Sequence, residues 1–481
     1  MTMRQTLPET DAVPLVVDLD GTLVNSDLLI ESAFLVAHTR PQSLLKVPRW
    51  LRAGKATLKA QLARRAAIAV EDLPYNRPLI EFLEAEKASG RRLILATASN
   101  QKYADQIADH LGLFDTVLAS TDTVNLAGQA KLDALREHLD GGAFDYAADG
   151  DVDRVIWRQA RRAIVVNAAP KLSARVAAEA EIDRSFAHEG GGWRTWVRAM
   201  RVHQWAKNAL IFVPLLAAHR YADASMITMA VLAFIAYSAL ASSVYLLNDL
   251  VDLGDDRQHP RKRERPFASG RLPIAHGVVA IPILLAVAFV IALCLPPLFG
   301  VVLAIYYIVT LAYSLGLKRV ALMDVLTLAA LYTLRIMAGG AATGIDLSFW
   351  LLALSMSIFL SLAMAKRCTE LLVMAERDGG APLGRGYVAS DLPILRSLGT
   401  AAGYTSVVVL ALYINSPDIT DQYSHPTRIW LLCPVVLYWI SRIWMTTLRG
   451  GMHDDPIVFA ARDNGSRLCV LLGLAIMFFA V

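Results

Sequence analysis

The stretch NDLVDLGDD, Asn248 to Asp256, runs directly into RQHPRKRERPFASG, Arg257 to Gly270, and the reading of the whole chain turns on it. It follows Met226 to Leu247, an apolar run long enough to cross a bilayer as a helix. If the helix continues past Leu247, then Asn248 or Asp249, Asp252 and Asp256 recur at i, i+4, i+8 and share one face. Three carboxylates and an amide on one strip cannot sit there unpaired. Oxygen ligands of this kind suit Mg²⁺, which takes one or two carboxylates and completes its shell with substrate phosphates. Beside them Arg257, Arg261, Lys262, Arg263 and Arg265 supply donors for phosphate oxygens. Acid next to base predicts a site for magnesium pyrophosphate. A solvated loop whose charges only neutralise one another is the alternative, and the phasing of the acids speaks against it.

The order HPxKRxRPxASG, His259 to Gly270, together with the phased acids resembles the first aspartate motif of the UbiA prenyltransferase superfamily. Within that superfamily it is most similar to polyprenyl-phosphate phosphoribosyltransferases. The resemblance implies a bound Mg²⁺ at Asn248, Asp249, Asp252 and Asp256, with Lys262, Arg263 and Arg265 on substrate phosphate. A second element, RxxQWxKN at Arg201 to Asn208, resembles the same group and adds Gln204, Lys207 and Asn208 to the expected substrate contacts. Tyr313, Lys318 and Asp324, in YSLGLKRVALMDV, stand where many UbiA prenyltransferases carry a second aspartate-rich motif. Only Asp324 remains of it, a departure that weakens an aromatic prenyltransferase reading and fits a phosphoribosyl donor handled by fewer carboxylates and more bases. Lys366, Arg367 and Glu370 either balance one another or reach substrate phosphate, and Arg335, inside an apolar helix, requires a partner or a polar cavity. HDDPIVFAARD, His453 to Asp463, also resembles the family's last cytoplasmic loop.

Near the start of the chain, Leu15 to Asp18 is a short β-branched apolar run ending in DLDGT, the pattern of a buried parallel strand that delivers carboxylates at its C-terminal end. LILATAS, a strand ending at Thr97, then Lys131 in GQAKLDAL, then YAADGDVD with Asp149 and Asp153, follow in order. These four motifs resemble the haloacid dehalogenase (HAD) superfamily. The resemblance implies that Asp18 attacks a phosphomonoester, Asp20 serves as general acid and base, and Thr97 and Lys131 hold the phosphoryl group. Asp18, Asp20, Asp149 and Asp153 would bind a second Mg²⁺. A carboxylate attacks a phosphate only if cations offset the repulsion between two anions, which accounts for these residue types. Between Val24 and Gly90 a helical insertion takes the place of a cap, and its bases Lys46, Arg49, Arg52, Lys55, Lys59, Arg64 and Arg65 face solvent or lipid headgroups. AIVVNA, Ala163 to Ala168, reads as a further strand followed by a polar helix.

The 481 residues are 55% hydrophobic, so much of the chain is expected in membrane. A net charge of +4 without a basic and aromatic stripe argues against nucleic acid as a partner. Cys294, Cys368, Cys433 and Cys469 lie in or beside apolar runs with no metal or redox spacing. The polar start, MTMRQTLPETDAVP, is not a signal peptide and predicts a cytoplasmic N-terminus. Nine apolar segments lie near 208–219, 226–247, 274–294, 298–315, 321–341, 348–365, 397–414, 429–446 and 467–481, the first and last short for a crossing. Basic residues collect in the even connections, at Arg257 to Arg271, Lys318 and Arg319, Lys366 to Arg396 (with Arg377 and Arg385), and Arg449 to Arg462, while the odd ones hold little beyond Arg220 and Arg428.

The expected architecture is therefore multidomain: an α/β HAD-like domain over 1–189 with a helical cap over about 24–90, a linker and interfacial helix over 190–200, and an all-α membrane domain of about nine helices over 201–481. The expected setting is a bacterial inner membrane with both sites on the cytoplasmic side. The expected activity is transfer of 5-phosphoribose from phosphoribosyl pyrophosphate to a polyprenyl phosphate lipid, followed by removal of the 5-phosphate. Two alternatives stand beside it. One is a UbiA-type prenyltransferase using a prenyl diphosphate and a small acceptor, with the HAD domain acting on an unrelated phosphate. The other is a membrane-anchored phosphatase whose helices only bind lipid.

Overall fold

The computed structural model describes residues 13–187, 190–375, 386–415, 423, 425–452 and 456–480. They form two compact units, Met1–Arg201 with Tyr245–Ile283, and Val202–Val244 with Leu284–Val481. Arg377, Arg385 and His453 to Asp455 lie outside the described residues.

The first unit is built on six strands: β1 (Leu15–Val17), β2 (Leu93–Asn100), β3 (Thr116–Ser120), β4 (Asp145–Ala148), β5 (Ala163–Val166) and β6 (Ile182–Phe186). Their order is β3-β2-β1-β4-β5-β6, parallel throughout. Alternate residues of the central strands feed two cores. Leu15, Val17 and Leu95 pack on one face of the sheet, and Val16, Ile94, Ala96 and Ala148 on the other. Strands covered on both faces read as unbroken apolar runs, which is why β1, β4 and β5 were legible. Val17 pairs with Leu95 on one side and with Ala147 on the other, so Asp18 and Asp149 leave the sheet along a single edge, beside Thr97 on β2.

Two differences from expectation have plain causes. β2 continues past Thr97 to Asn100, and after the expected polar helix, Pro170–Glu179, a sixth strand, β6, adds to the sheet. β6 pairs with β5 alone and lies at the sheet margin, where Asp183 and Arg184 are tolerated and blunt the edge. The insertion after β1 is helical, as its periodicity predicts, and includes α1 (Leu28–Thr39) and α2 (Lys55–Ala63). Helix α3 (Gln129–His138) carries Lys131 in its first turn.

Seven helices among the described residues are long and apolar enough to cross a membrane. They are α4 (Ala224–Val251), α6 (Ile274–Ala292), α7 (Pro297–Leu315), α8 (Met323–Thr343), α9 (Phe349–Ala375), α10 (Leu392–Ile414) and α11 (Leu432–Leu448), which the 3-10 turn before it lengthens to a 22-residue span, Thr427–Leu448; α5 (Leu253–Gln258) follows α4 directly. The first and last of the nine expected segments fall short. Val202–Phe212 is a 3-10 stretch leading into the five-residue helix Val213–Ala217, and α12 (Asn464–Ala480) has 17 residues. Large apolar side chains on these helices remain exposed, Val290 at 61% and Val470 at 60% among them. A backbone wholly bonded within each helix can place such side chains in lipid.

Candidate active sites

At the C-terminal edge of the first unit's sheet, Asp18, Asp149 and Asp153 bring carboxylate oxygens within 4.8 Å of one another. Lys131 Nζ stands 2.9 Å from Asp18 Oδ1 and 3.3 Å from Asp153 Oδ1, with 2% of its side chain exposed. Burial raises the Asp18 carboxyl to about 6, partly offset by Lys131. Burial, reinforced by the Asp18 and Asp153 carboxylates, raises Asp149 to about 8. Burial disfavours the charge on Lys131, yet the Asp18 and Asp153 carboxylates outweigh it and hold the ammonium above its ordinary value. Three crowded acids, of which Asp18 and Asp149 resist ionising, are the environment a divalent cation relieves, so this trio fits Mg²⁺.

Asp20 is not in that trio. Its carboxylate accepts from Leu28 N at 2.9 Å and from the Ser99 hydroxyl. Burial, with the nearby Asp27, lifts it to about 7, so it retains a proton into the neutral range. Thr97 is fully buried and its hydroxyl accepts from Ser99 N at 3.0 Å. Sequence reasoning missed three members of this site. Ser99 follows Thr97 on the same strand face and was legible from alternation. Tyr146, whose hydroxyl donates to Asp153 at 2.7 Å, has no sequence signal. Lys59 is neither solvated nor aimed at lipid, because its Nζ donates to Ala98 O at 2.6 Å and to Asn125 Oδ1 at 2.8 Å.

Gly21 sits at φ +76°, and a Cβ there would lie 2.2 Å from Asp149 Oδ2. A side chain in that backbone region costs about 1–3 kcal/mol and here would also displace a carboxylate. Gly21→Ala is therefore expected to lower hydrolysis of a small phosphomonoester at least about tenfold, read as turnover at saturating Mg²⁺. Parent-like activity would show that Asp149 is free to shift.

The aspartate loop is also part of the first unit. Helix α4 ends at Val251, Asp252 is the residue preceding α5, and Asp256 lies on α5. Arg265 Nη1 bridges Asp249 Oδ1 at 3.1 Å and Asp256 Oδ2 at 2.6 Å, and Arg201 also pairs with Asp249. Arg265, expected on substrate phosphate, is thus a clamp between two carboxylates. Asp256 Oδ1 is buried without a hydrogen-bond partner among the described residues, and burial lifts its carboxyl to about 6 against the pull of Arg265. An acid with an orphaned oxygen fits a cation. Asn248 and Asp252 are half-buried, and Lys262 and Arg263 are exposed on the turn Lys262–Glu264.

In the second unit, Asp324 is fully buried and Arg367 nearly so. Tyr313 donates to Asp324 Oδ1 at 2.8 Å, and Arg367 Nη2 reaches Asp324 Oδ1 at 3.1 Å and Tyr313 Oη at 3.3 Å. Arg367 also pairs with Glu370. The two sequence groups around Tyr313 and Lys366 are therefore partly one network, while Lys318 and Lys366 are half-buried. Arg335 has its partners: Nε donates to Asn208 Oδ1 at 2.9 Å, Nη2 to Tyr306 Oη at 2.9 Å, and the Tyr237, Tyr306 and Tyr332 rings lie 5.1–5.7 Å away. Asn208, expected on substrate, is 2% exposed and also donates to Ser238 at 2.9 Å. Lys207 Nζ lies 5.7 Å over the Tyr332 ring, and Gln204 is half-buried.

Residues 209–450 match the UbiA prenyltransferase family, and residues 15–154 match haloacid dehalogenase-like hydrolases. The uncharacterized protein y4nM of Sinorhizobium fredii is 37% identical over 94% of this chain and 88% of its own length. Nodulation protein NoeC of Azorhizobium caulinodans is 39% identical over 59% of this chain and 92% of its own length. The decaprenyl-phosphate phosphoribosyltransferase of Mycobacterium tuberculosis is 31% identical over 59% of this chain and 93% of its own. A solved UbiA homolog from Archaeoglobus fulgidus, bound to GPP and Mg²⁺, overlays with a TM-score of 0.46 at 15% identity, over 59% of this chain and 99% of that one. The chain therefore belongs to the UbiA prenyltransferase family, as a multi-pass membrane enzyme that carries a haloacid dehalogenase-like hydrolase domain ahead of its transferase helices.

Proposed function

We propose that the membrane domain transfers 5-phosphoribose from phosphoribosyl pyrophosphate to a polyprenyl phosphate, and that the HAD-like domain removes the 5-phosphate to leave polyprenyl-phosphoryl ribose. The observation that carries the reading is the aspartate loop itself: Asp249 and Asp256 clamped by Arg265, with one Asp256 oxygen left over for a cation. Similarity to decaprenyl-phosphate phosphoribosyltransferases over nearly their whole length supports the choice of transferred group and acceptor.

The acceptor is already an anion, so transfer needs no general base. Catalysis rests on positioning and on stabilising the departing pyrophosphate. Asn248, Asp249, Asp252 and Asp256 would hold Mg²⁺, which neutralises pyrophosphate charge when bound. Lys262 and Arg263 stand exposed on the same loop, in reach of an arriving polyanion. In the HAD-like domain Asp18 attacks the 5-phosphate and Asp20 donates the proton to the leaving hydroxyl, while Lys131 and Thr97 hold the phosphoryl oxygens. Asp18, Asp149 and Asp153 would hold the second Mg²⁺, which screens nucleophile from substrate when bound. Purified protein given labelled phosphoribosyl pyrophosphate and decaprenyl phosphate should yield a labelled lipid. Label transferred only from a prenyl diphosphate would overturn the assignment.

The distribution of bases supports a cytoplasmic side for both sites. In a Cys294→Ser background, Glu264→Cys should resist an impermeant thiol reagent in intact cells and Asp346→Cys should label. Both positions are exposed on the protein. The opposite labelling pattern would put the transferase loop outside.

A further inference from the structure

One buried ion pair in the first unit is used by neither reaction. Glu31, in the first turn of α1, and Arg257, on α5, are 226 residues apart in sequence and meet in a two-pronged pair. Arg257 Nη1 donates to Glu31 Oε2 at 2.9 Å and Nη2 to Oε1 at 2.6 Å. Their side chains are 5% and 6% exposed. The remaining capacity is used as well: the Ser26 hydroxyl donates to Glu31, and Arg257 Nε donates to Ala268 O at 3.3 Å.

The surroundings form a seat rather than a chance encounter. Gln258 Nε2 donates to Asp72 Oδ2 at 3.1 Å. Gly270, at φ +72°, approaches so closely that a Cβ would lie 2.7 Å from Asn25 Cβ and 3.1 Å from Asn25 O. The loop from α5 to Gly270 thus rests on Asn25, Glu31 and Asp72, which belong to the nucleophile loop and cap of the HAD-like domain. Each end of the pair leads to a site. The first amide of α1, Leu28 N, donates to Asp20, and Arg257 follows Asp256 in the chain.

A fully buried pair of this kind gains little net stability over an apolar contact, but its planar fork fixes direction, and removing one partner strands a charge. We propose that Glu31 and Arg257 are positioning residues that pin the aspartate loop to the HAD-like domain, so that Asp252 and Asp256 keep the arrangement that receives the pyrophosphate of the donor. The phosphatase domain is then a structural part of the transferase's donor site. This rests on the transferase reading above.

The test uses the full-length protein in detergent or nanodiscs, with Glu31→Gln, Arg257→Gln and the double variant. Glu31→Gln should speed amide exchange over residues 253–271 at least about tenfold while β1, β2 and β4 exchange as in the parent. It should raise KM for phosphoribosyl pyrophosphate about tenfold with kcat within about threefold, because the loop binds donor rather than performing the chemistry. The double variant, which replaces the charges by two amides able to bond each other, should recover most of the lost affinity. Unchanged exchange over 253–271 in Glu31→Gln would overturn the positioning role. So would faster exchange with parent KM, or a double variant no better than the singles. Failure of the parent to transfer phosphoribose would overturn the transferase reading instead, and the exchange comparison would still decide whether the pair orders the loop.

Discussion

Asp18→Asn should abolish phosphatase activity, by about 10⁴-fold or more, while leaving the transfer step running. An amide is a poor nucleophile, so no aspartyl-phosphate forms, and it also removes one of the three carboxylates gathered at the sheet edge. The fold should tolerate the change, because Lys131 keeps Asp153 and Tyr146 as partners. The aspartate loop draws none of its acids from the sheet edge, so transfer should persist. The lipid extracted after reaction should then be heavier by one phosphate than the parent's product, measured by mass spectrometry. Identical lipids from the two proteins would mean that the HAD-like domain serves some other phosphomonoester, and the two-step reading would fail while transfer stood.

Asp252→Ala should do the reverse. Loss of a metal ligand is expected to reduce phosphoribosyl transfer by more than about 100-fold, since even partners of such ligands are worth 10–100-fold. Hydrolysis of a small phosphomonoester should stay at the parent rate. Asp252 is a cleaner choice than Asp249, whose removal would cost Arg201 its carboxylate and leave Arg265 with Asp256 alone. The Asp252 side chain makes no capping bond to α5, so its loss should not unwind that helix. Full transfer activity in Asp252→Ala would remove the loop from the metal assignment. Loss of both activities together would point to misfolding, which the melting curve and the small-substrate assay separate.

These two substitutions also mark where the residue pattern was sufficient and where it was not. Asp18 was legible because an apolar β-branched run ending in acids is local information: burial on both faces of a parallel sheet demands the run, and the strand's end places the acid. Past Leu247 the expected helix holds only to Val251 and breaks at Asp252 before α5, so Asp249 and Asp256, on separate helices, meet at one guanidinium. Length and hydropathy sufficed for seven of the helices, and for noting that the first and last apolar segments were short.

What the sequence by itself determined, then, was whatever has a short period: buried strands and apolar helices. Only the tertiary structure decided the charge partners. Arg265 reads as one base among five in a basic run, yet it closes on Asp249 and Asp256. Arg367 and Asp324 lie on different helices and became a pair only where those helices meet. Glu31 and Arg257 carry no mutual signal across the 226 residues between them. The physical reason is that a buried charge must find a counter-charge within hydrogen-bonding distance, a demand satisfied by whichever residue packing brings near, and packing leaves no spacing in the chain to be read.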